Sequence, residues 1–198
     1  HACSGTPPRM TSDNPKLSQI RDRLRMLLNT HLSTVGHQTL MAPVGEVLIE
    51  QDSPAKRVLL VRTGELKVER CEAGGTPQEI ARIGPDELVG EMALIGDEHH
   101  SATVSVSDGP AEILVVQADD LLQAAIYDSD LVMELLALSS NRCRQTNSRL
   151  TLVLEALEAL DQEDDASLKR CCGELERSTV PGLSNAAQQL RRLGQAKK

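Results

Sequence analysis

Gly90-Glu91-Met92-Ala93-Leu94-Ile95-Gly96-Asp97-Glu98-His99-His100-Ser101-Ala102-Thr103-Val104 joins four different local patterns in one short stretch. A Gly-Glu pair leads into an apolar run of helical length. A polar loop with two adjacent histidines follows, and Ser101-Ala102-Thr103-Val104 opens a strand pattern. Outward from it, Leu40 to Val116 is a series of short β-rich runs separated by turn signals, as a sandwich or barrel demands. Val47-Leu48-Ile49 follows Gly45, Val58 to Arg62 is a continuous run of buried type, and Glu65 to Arg70 alternates with Leu66 and Val68 inward. Gly74-Gly75 marks a hairpin before Glu79 to Ile83. Thr103, Val104, Val106 and Ile113 to Val116 complete the set, with Asp108-Gly109-Pro110 expected as the turn between the last two runs. These are jelly-roll proportions.

Helical spacing flanks the β region on both sides. Lys16 to Ser33 places Leu17, Ile20, Leu24, Leu27 and Leu28 on one face and Arg21, Arg23 and Arg25 elsewhere, which predicts a docking helix with a solvated basic face. Asp119 to Ile126 forms a short helix, and Asp128 or Ser129 caps a longer one running to about Leu160. Its seam steps in threes and fours through Val132, Leu136, Ser139, Cys143, Thr146, Leu150, Val153, Leu157 and Leu160, a repeat suited to packing against a second copy. Acidic residues from Asp161 to Asp165 end it. Ala166 to Glu176 and Ser184 to Leu193 are short helical pieces, and Arg191-Arg192 with Lys197-Lys198 forms a solvated end.

Composition narrows the class. The 198 residues hold 40% apolar side chains but no Phe, no Trp and one Tyr, Tyr127, so the core is aliphatic and base-stacking platforms are missing. Net charge is -8, the wrong sign for whole-surface attraction to DNA or an anionic membrane. Between Ile83 and Asn141 there is no Lys or Arg, so an anion site built there has no permanent cation of its own. Five cysteines without metal-ligand spacing, two of them adjacent at Cys171 and Cys172, suit free thiols in a reducing, cytoplasmic setting. No apolar run approaches the roughly 20 residues of a membrane span. His1 to Arg9 is expected to be foreign or cut sequence, with Met10 as a native start.

The central stretch resembles the phosphate-binding cassette of the cyclic-nucleotide-binding domain family. Gly45-Glu46-Val47-Leu48-Ile49-Glu50-Gln51-Asp52 is similar to that family's first-strand signature, with Gln51 where Gly is usual. Val58-Leu59-Leu60-Val61-Arg62-Thr63-Gly64-Glu65-Leu66-Lys67-Val68 is similar to its second, with Gly64 at the tight turn between strands. The resemblance runs from about Leu40 to Leu160 and implies cAMP or cGMP as ligand. Gly90 and Glu91 would seat the ribose, and the cassette Met92, Ala93, Ser101 and Ala102 would surround the cyclic phosphate. Thr146 and Asn147 on the long helix would face the base. It also implies a homodimer through residues 129–160.

Three positions depart from the family pattern: Gln51, Val89 where an aromatic usually precedes Gly90, and His100. His100 stands where an Arg forms the ion pair with the phosphate, and losing that bidentate fork removes roughly 1.5–3 kcal/mol, or about ten- to a hundredfold in affinity. Glu91, Asp97 and Glu98 are expected to raise the His100 pKa and recover part of this, and Arg82 is expected to reach in from the preceding strand. Backbone amides at Ala93, Ser101 and Ala102 can point at phosphate without side-chain charge. Adjacent His99 and His100 point opposite ways and make poor joint metal ligands, and no nucleophile has a visible base, so neither a metal site nor an enzyme is expected.

The sequence therefore predicts a mainly β fold with flanking helices. It comprises a disordered or foreign segment at 1–15, an N-terminal helical segment at 16–38, a cyclic-nucleotide-binding-type jelly roll at 39–128, a dimerisation helix at 129–160 and a helical tail at 161–198. The tail is too short for the family's DNA-binding winged helix, so no DNA contact is expected of this chain alone, and output would pass to an effector protein. The alternative is a ligand-independent dimerising regulatory protein with a degenerate pocket.

Overall fold

The computed structural model describes residues 15–94, 96 and 98–196. Expectations placed on residues 1–14, on Asp97, on the side chains of Leu17 and Ala93 and on Lys197-Lys198 lie outside the described residues. Element order is α1 (Pro15–His31), β1 (His37–Ala42), β2 (Val47–Ile49), β3 (Arg57–Arg70), β4 (Gln78–Ile83), β5 (Leu88–Val89), β6 (Thr103–Gln117), α2 (Ala118–Tyr127), α3 (Ser129–Asp161), α4 (Asp165–Glu176) and α5 (Pro181–Ala196), with a short 3-10 helix at Glu91–Leu94 between β5 and β6.

Two long strands make the roll. β3 and β6 pair antiparallel from Arg57↔Gln117 to Glu69↔Thr103, with register shifts between Val61 and Leu66. β1 and β2 add to β6, and β4 and β5 add to β3. The two runs Val58–Arg62 and Glu65–Arg70 are thus one strand, and so are the two runs on either side of Asp108-Gly109-Pro110. Gly64 and Asp108–Pro110 are not turns as expected; they are opposed irregularities where both strands bend together. At Gly64 φ is +83°, and a Cβ there would lie 2.7 Å from Ala111 Cβ and 2.9 Å from the Asp108 carbonyl.

Alternation along β3 explains why Val58 to Val61 is apolar without a break. Leu59 and Val61 point into the roll with Leu66, Val104, Val106, Ala111 and Ile113. Val58 and Leu60 point the other way, onto Leu24 and Leu28 of α1, Leu121 and Ala125 of α2, and Leu131 and Leu138 of α3. A strand covered on both faces has no solvent face to make polar.

Helix α1 stops at His31, and His37 and Gln38 already belong to β1, so the helical segment is shorter than the span to residue 38. Its basic face is exposed at Arg23 and Arg25 but is also paired across to the neighbouring elements. Arg21 pairs with Glu87, Arg25 with Asp86 at 3.0 Å, and Arg23 with Glu134 of α3 at 3.1 Å. Asp128 caps α3 by accepting from the amides of Asp130 and Leu131, and its carboxylate also meets the His31 ring at 2.7 Å. That contact, with the two capping amides, holds the Asp128 carboxyl below its ordinary range.

The tail is a docked pair of helices with its own core. Ala156 and Ala159 of α3 pack on Leu168, Cys171, Cys172 and Leu175 of α4 and on Ala187 and Leu190 of α5. The second piece begins earlier than expected, because Pro181 takes the first helical position, where its missing N–H costs nothing. Val153 and Leu160, assigned to the open seam, face this core instead. No described helix is long and apolar enough to cross a membrane.

Gly64 and Gly45 both have positive φ, but a Cβ at Gly45 meets nothing within 4 Å. Gly45→Ala is expected to cost about 1 kcal/mol from the backbone conformation alone. Gly64→Ala adds the collision with Ala111 and should cost at least twice as much. Urea unfolding of the two variants measures the difference, and equal losses would show that the strands relax around Gly64 freely.

Candidate functional site

The cassette hangs from the roll at both ends. β5 pairs Leu88 and Val89 with Leu60 and Leu59 of β3, and the chain then leaves the sheet at Gly90, where φ is +86°. A Cβ at Gly90 would lie 2.8 Å from the Arg57 carbonyl, so only glycine allows this close pass. The expected helix is a single 3-10 segment, Glu91–Leu94. On its return the loop is laced to the turn after β2. Ala55 N–H donates to the Glu98 carbonyl (2.9 Å), His100 N–H to the Ser53 carbonyl (2.8 Å) and Asp52 N–H to the His100 carbonyl (2.8 Å).

Glu91 is buried and not alone. Arg142, on α3, donates from Nη1 to Glu91 Oε1 and from Nη2 to the Leu88 carbonyl, both at 2.5 Å. Burial of a carboxylate requires such a partner. The second carboxylate oxygen of Glu91 takes no hydrogen bond among the described residues, which leaves it open to a hydroxyl donor. Arg142 is the residue that sequence reasoning missed. The signal was available: it is the first cation after the span free of Lys and Arg, and it lies one helical turn before Thr146.

His100 does not behave as expected from its neighbours in sequence. The ring is 7% exposed, and burial, followed by the nearby Arg57 charge, pushes its pKa below the ordinary histidine value. The anticipated raising by Glu91 and Glu98 is overturned: Glu91 spends its charge on Arg142, and Glu98 is exposed. His99 is exposed and bridges to Pro54, so the two histidines do point apart. Arg82 does not reach in. Its guanidinium is bound by Glu79 and Glu65, each at 2.7 Å, and these contacts raise its pKa.

The remaining candidates divide between loop and helix. Ser101 is exposed and Ala102 buried, and neither amide has a hydrogen-bond acceptor among the described residues. Both donors are thus unspent among the described residues. Met92 is half exposed. Thr146 and Asn147 lie on the exposed side of α3, just beyond Arg142. Thr146 donates its hydroxyl to the Arg142 carbonyl at 3.0 Å, and the Asn147 amide approaches Cys143 Sγ at 3.9 Å. Arg142 thereby joins the cassette to the turn of α3 that carries Thr146 and Asn147. Among the described residues no group of three His, Cys, Asp or Glu side chains could hold a metal ion.

Comparison with known proteins agrees with this geometry. Residues 41–127 match the family model of the cyclic nucleotide-binding domain. The chain is 28% identical over 167 residues to the cyclic AMP receptor protein of Thermus thermophilus, covering 75% of this chain and 76% of that protein. Over 69 residues it is 36% identical to the acetyltransferase Pat of Mycolicibacterium smegmatis, which is 35% of this chain and 20% of that one. The crystal structure of the Thermus thermophilus catabolite activator protein matches in fold with a TM-score of 0.56 at 23% identity, covering 86% of this chain and 82% of that one.

Two measurements check the site. Removing Arg142 strands a buried carboxylate, so Arg142→Met should cost about 3 kcal/mol in urea unfolding, and Glu91→Gln in the same background should recover part of it. For His100 the folded pKa lies below the unfolded value of about 6.5. Above that pH the ring is neutral in both states and its full contribution is present. As pH falls, the unfolded chain takes up a proton that the folded site resists, so stability is lost. Unfolding midpoints at pH 7.5, 6.5 and 5.5 should fall more steeply for the wild type than for His100→Asn.

Proposed function

We infer, from the match of residues 41–127 to the cyclic nucleotide-binding domain model, that this chain is a regulatory sensor for a cyclic nucleotide, cAMP or cGMP. The ring phosphate would lie on the amides of Ser101 and Ala102, with the neutral His100 imidazole as a single donor in place of a guanidinium. A ribose hydroxyl would donate to the open oxygen of Glu91 beside Gly90, and Thr146 and Asn147 would meet the base. The observation that carries the reading is the Glu91–Arg142 pair: a ligand that engages Glu91 competes for or shares the same carboxylate that holds α3. Occupancy then biases the position of α3 against the roll, which is the differential contact a switch requires.

The output runs through α3. Val132, Leu136, Leu150, Leu154 and Leu157 are all exposed apolar side chains on this helix, with Cys143 exposed between them, and a second copy of the chain would cover the seam they form. Similarity to both a receptor protein and part of an acetyltransferase supports an effector supplied by a separate module, so the chain itself is a regulator and not an enzyme. Free Cys71, Cys143, Cys171 and Cys172 fit a reducing, cytoplasmic setting.

A second reading has its own support. His100 is buried, with its pKa held down by that burial, and the Glu91 charge is already met by Arg142, so neither ionisable group of the cassette calls for a ligand. On that reading the chain dimerises and regulates with a degenerate pocket.

Isothermal titration with cAMP and with cGMP separates the two. Binding should vary little between pH 8 and pH 7, because burial holds the His100 pKa below its ordinary value, and His100→Arg should raise affinity about ten- to a hundredfold. An absence of heat at millimolar ligand in both proteins would select the degenerate pocket. Light scattering should give a dimer for the wild type and a monomer for Leu136→Glu/Leu150→Glu, and mild oxidation should link two chains through Cys143.

A further inference from the structure

We propose that Gln51 is a positioning residue for the cassette: its side-chain amide locks the turn after β2 onto the end of β3, and that turn holds the arm presenting the Ser101 and Ala102 amides. A glycine, usual at this position of the pattern that the chain resembles, has no side chain to make such a lock.

Gln51 touches two distant parts of the chain at once. Its Oε1 accepts from the Cys71 N–H and its Nε2 donates to the Cys71 carbonyl, both at 2.9 Å. The amide thereby pairs with both backbone groups of one residue, as a neighbouring strand would. Only one orientation of the amide serves both, because Oε1 cannot donate and Nε2 cannot accept. The backbone N–H of Gln51 donates to Thr103 Oγ1 at 3.1 Å. Cys71 directly follows β3 and Thr103 opens β6, so Gln51 sits across the end of the ladder where Glu69 pairs with Thr103.

From Gln51 the contacts reach the cassette in one step. Asp52 N–H donates to the His100 carbonyl, His100 N–H to the Ser53 carbonyl and Ala55 N–H to the Glu98 carbonyl. These are backbone bonds, so the arm from Glu98 to His100 follows wherever the turn is held. Asp52 lies at φ +62°, a conformation that a residue with a Cβ adopts at a cost. Ser53 closes the turn on the Glu50 carbonyl through its hydroxyl, at 2.6 Å, and Gln51 attaches it to β3.

Ser101 and Ala102 lie between His100, which Asp52 holds, and Thr103, which Gln51 holds. The two unspent amides are therefore strung between two fixed points. Donors held in place in advance bind an acceptor without the cost of ordering the loop. The effect on ligand affinity rests on the sensor reading, whereas the lock on the loop does not.

The test measures amide hydrogen exchange in the full chain without ligand. Gln51→Leu, which keeps the bulk, and Gln51→Gly, which removes it, should each speed exchange at Asp52, Ala55 and His100 at least about tenfold, while the β3–β6 ladder exchanges as in the wild type. Isothermal titration with cAMP and with cGMP, in the wild-type and His100→Arg chains, should show both substitutions weakening affinity at least about tenfold. No heat from either nucleotide in either chain would remove the sensor reading and leave exchange to decide the lock. The proposal is overturned by unchanged exchange at those three amides, or by equal speeding across the ladder, which marks a general loss of stability. It is also overturned if Gln51→Leu exchanges normally and only Gln51→Gly is affected, which would assign the effect to bulk or backbone freedom, or if a nucleotide that binds keeps its affinity in both variants.

Discussion

The antiparallel ladder between β3 and β6 is the constraint on which the other parts depend. It brings residues from Arg57 to Arg70 against residues from Thr103 to Gln117, and every other strand is an addition to one of these two. Such pairing is long-range and slow to find, but once made it places two loops on one framework. The cassette is one of them. It begins two residues after Leu88 joins β3 and ends where Thr103 pairs with Glu69, so its span is set by backbone hydrogen bonds at both ends. The paired irregularity at Gly64 and Asp108–Pro110 bends both strands at the same level, which lets one sheet wrap its own aliphatic core without aromatic side chains to fill a wider gap.

Charge in this molecule is spent at joints. The acid-rich span from Asp86 to Glu134 looks, on its own, unfit to receive an anion, yet four of its acids face arginines from elsewhere in the chain. Glu87, Asp86 and Glu134 hold α1 by Arg21, Arg25 and Arg23, and Glu91 holds α3 by Arg142. Exposed members of this set contribute little each. The Glu91–Arg142 pair differs because its carboxylate is buried, so breaking it leaves a charge without water or partner. A cassette tied to a long helix by one buried pair is mechanically coupled to it, whatever ligand it receives.

The β runs, the hairpin at Gly74-Gly75, the Asp128 cap and the 33-residue helix were all legible because each is written in local periodicity or local capping chemistry. Gly90, Glu91, Ser101 and Ala102 could be singled out as candidates because they sit in one contiguous stretch. What was misread involved environment. His100 was assigned a raised pKa from acidic neighbours in sequence, but desolvation by the packed roll and the charge of Arg57, forty-three residues away in the chain, act in the opposite direction. Arg82 was assigned to the site by its position on the preceding strand, whereas its pairing with Glu79 and Glu65 commits it elsewhere.

The sequence by itself determined the helices and the runs that form β2, β3, β4 and β6, though not β1 or β5, that the core is aliphatic, and that a Gly-Glu cassette opens the last long strand, because these follow from side-chain size, spacing and backbone freedom within a few residues. Only the tertiary structure decided that Gly64 and Asp108–Pro110 are matched bends in continuous strands, that the tail encloses a core against α3, and that Arg142 rather than Arg82 meets the cassette. Those outcomes depend on which distant groups share a desolvated space. Desolvation and pairing there change the energy of a charge far more than any local propensity does.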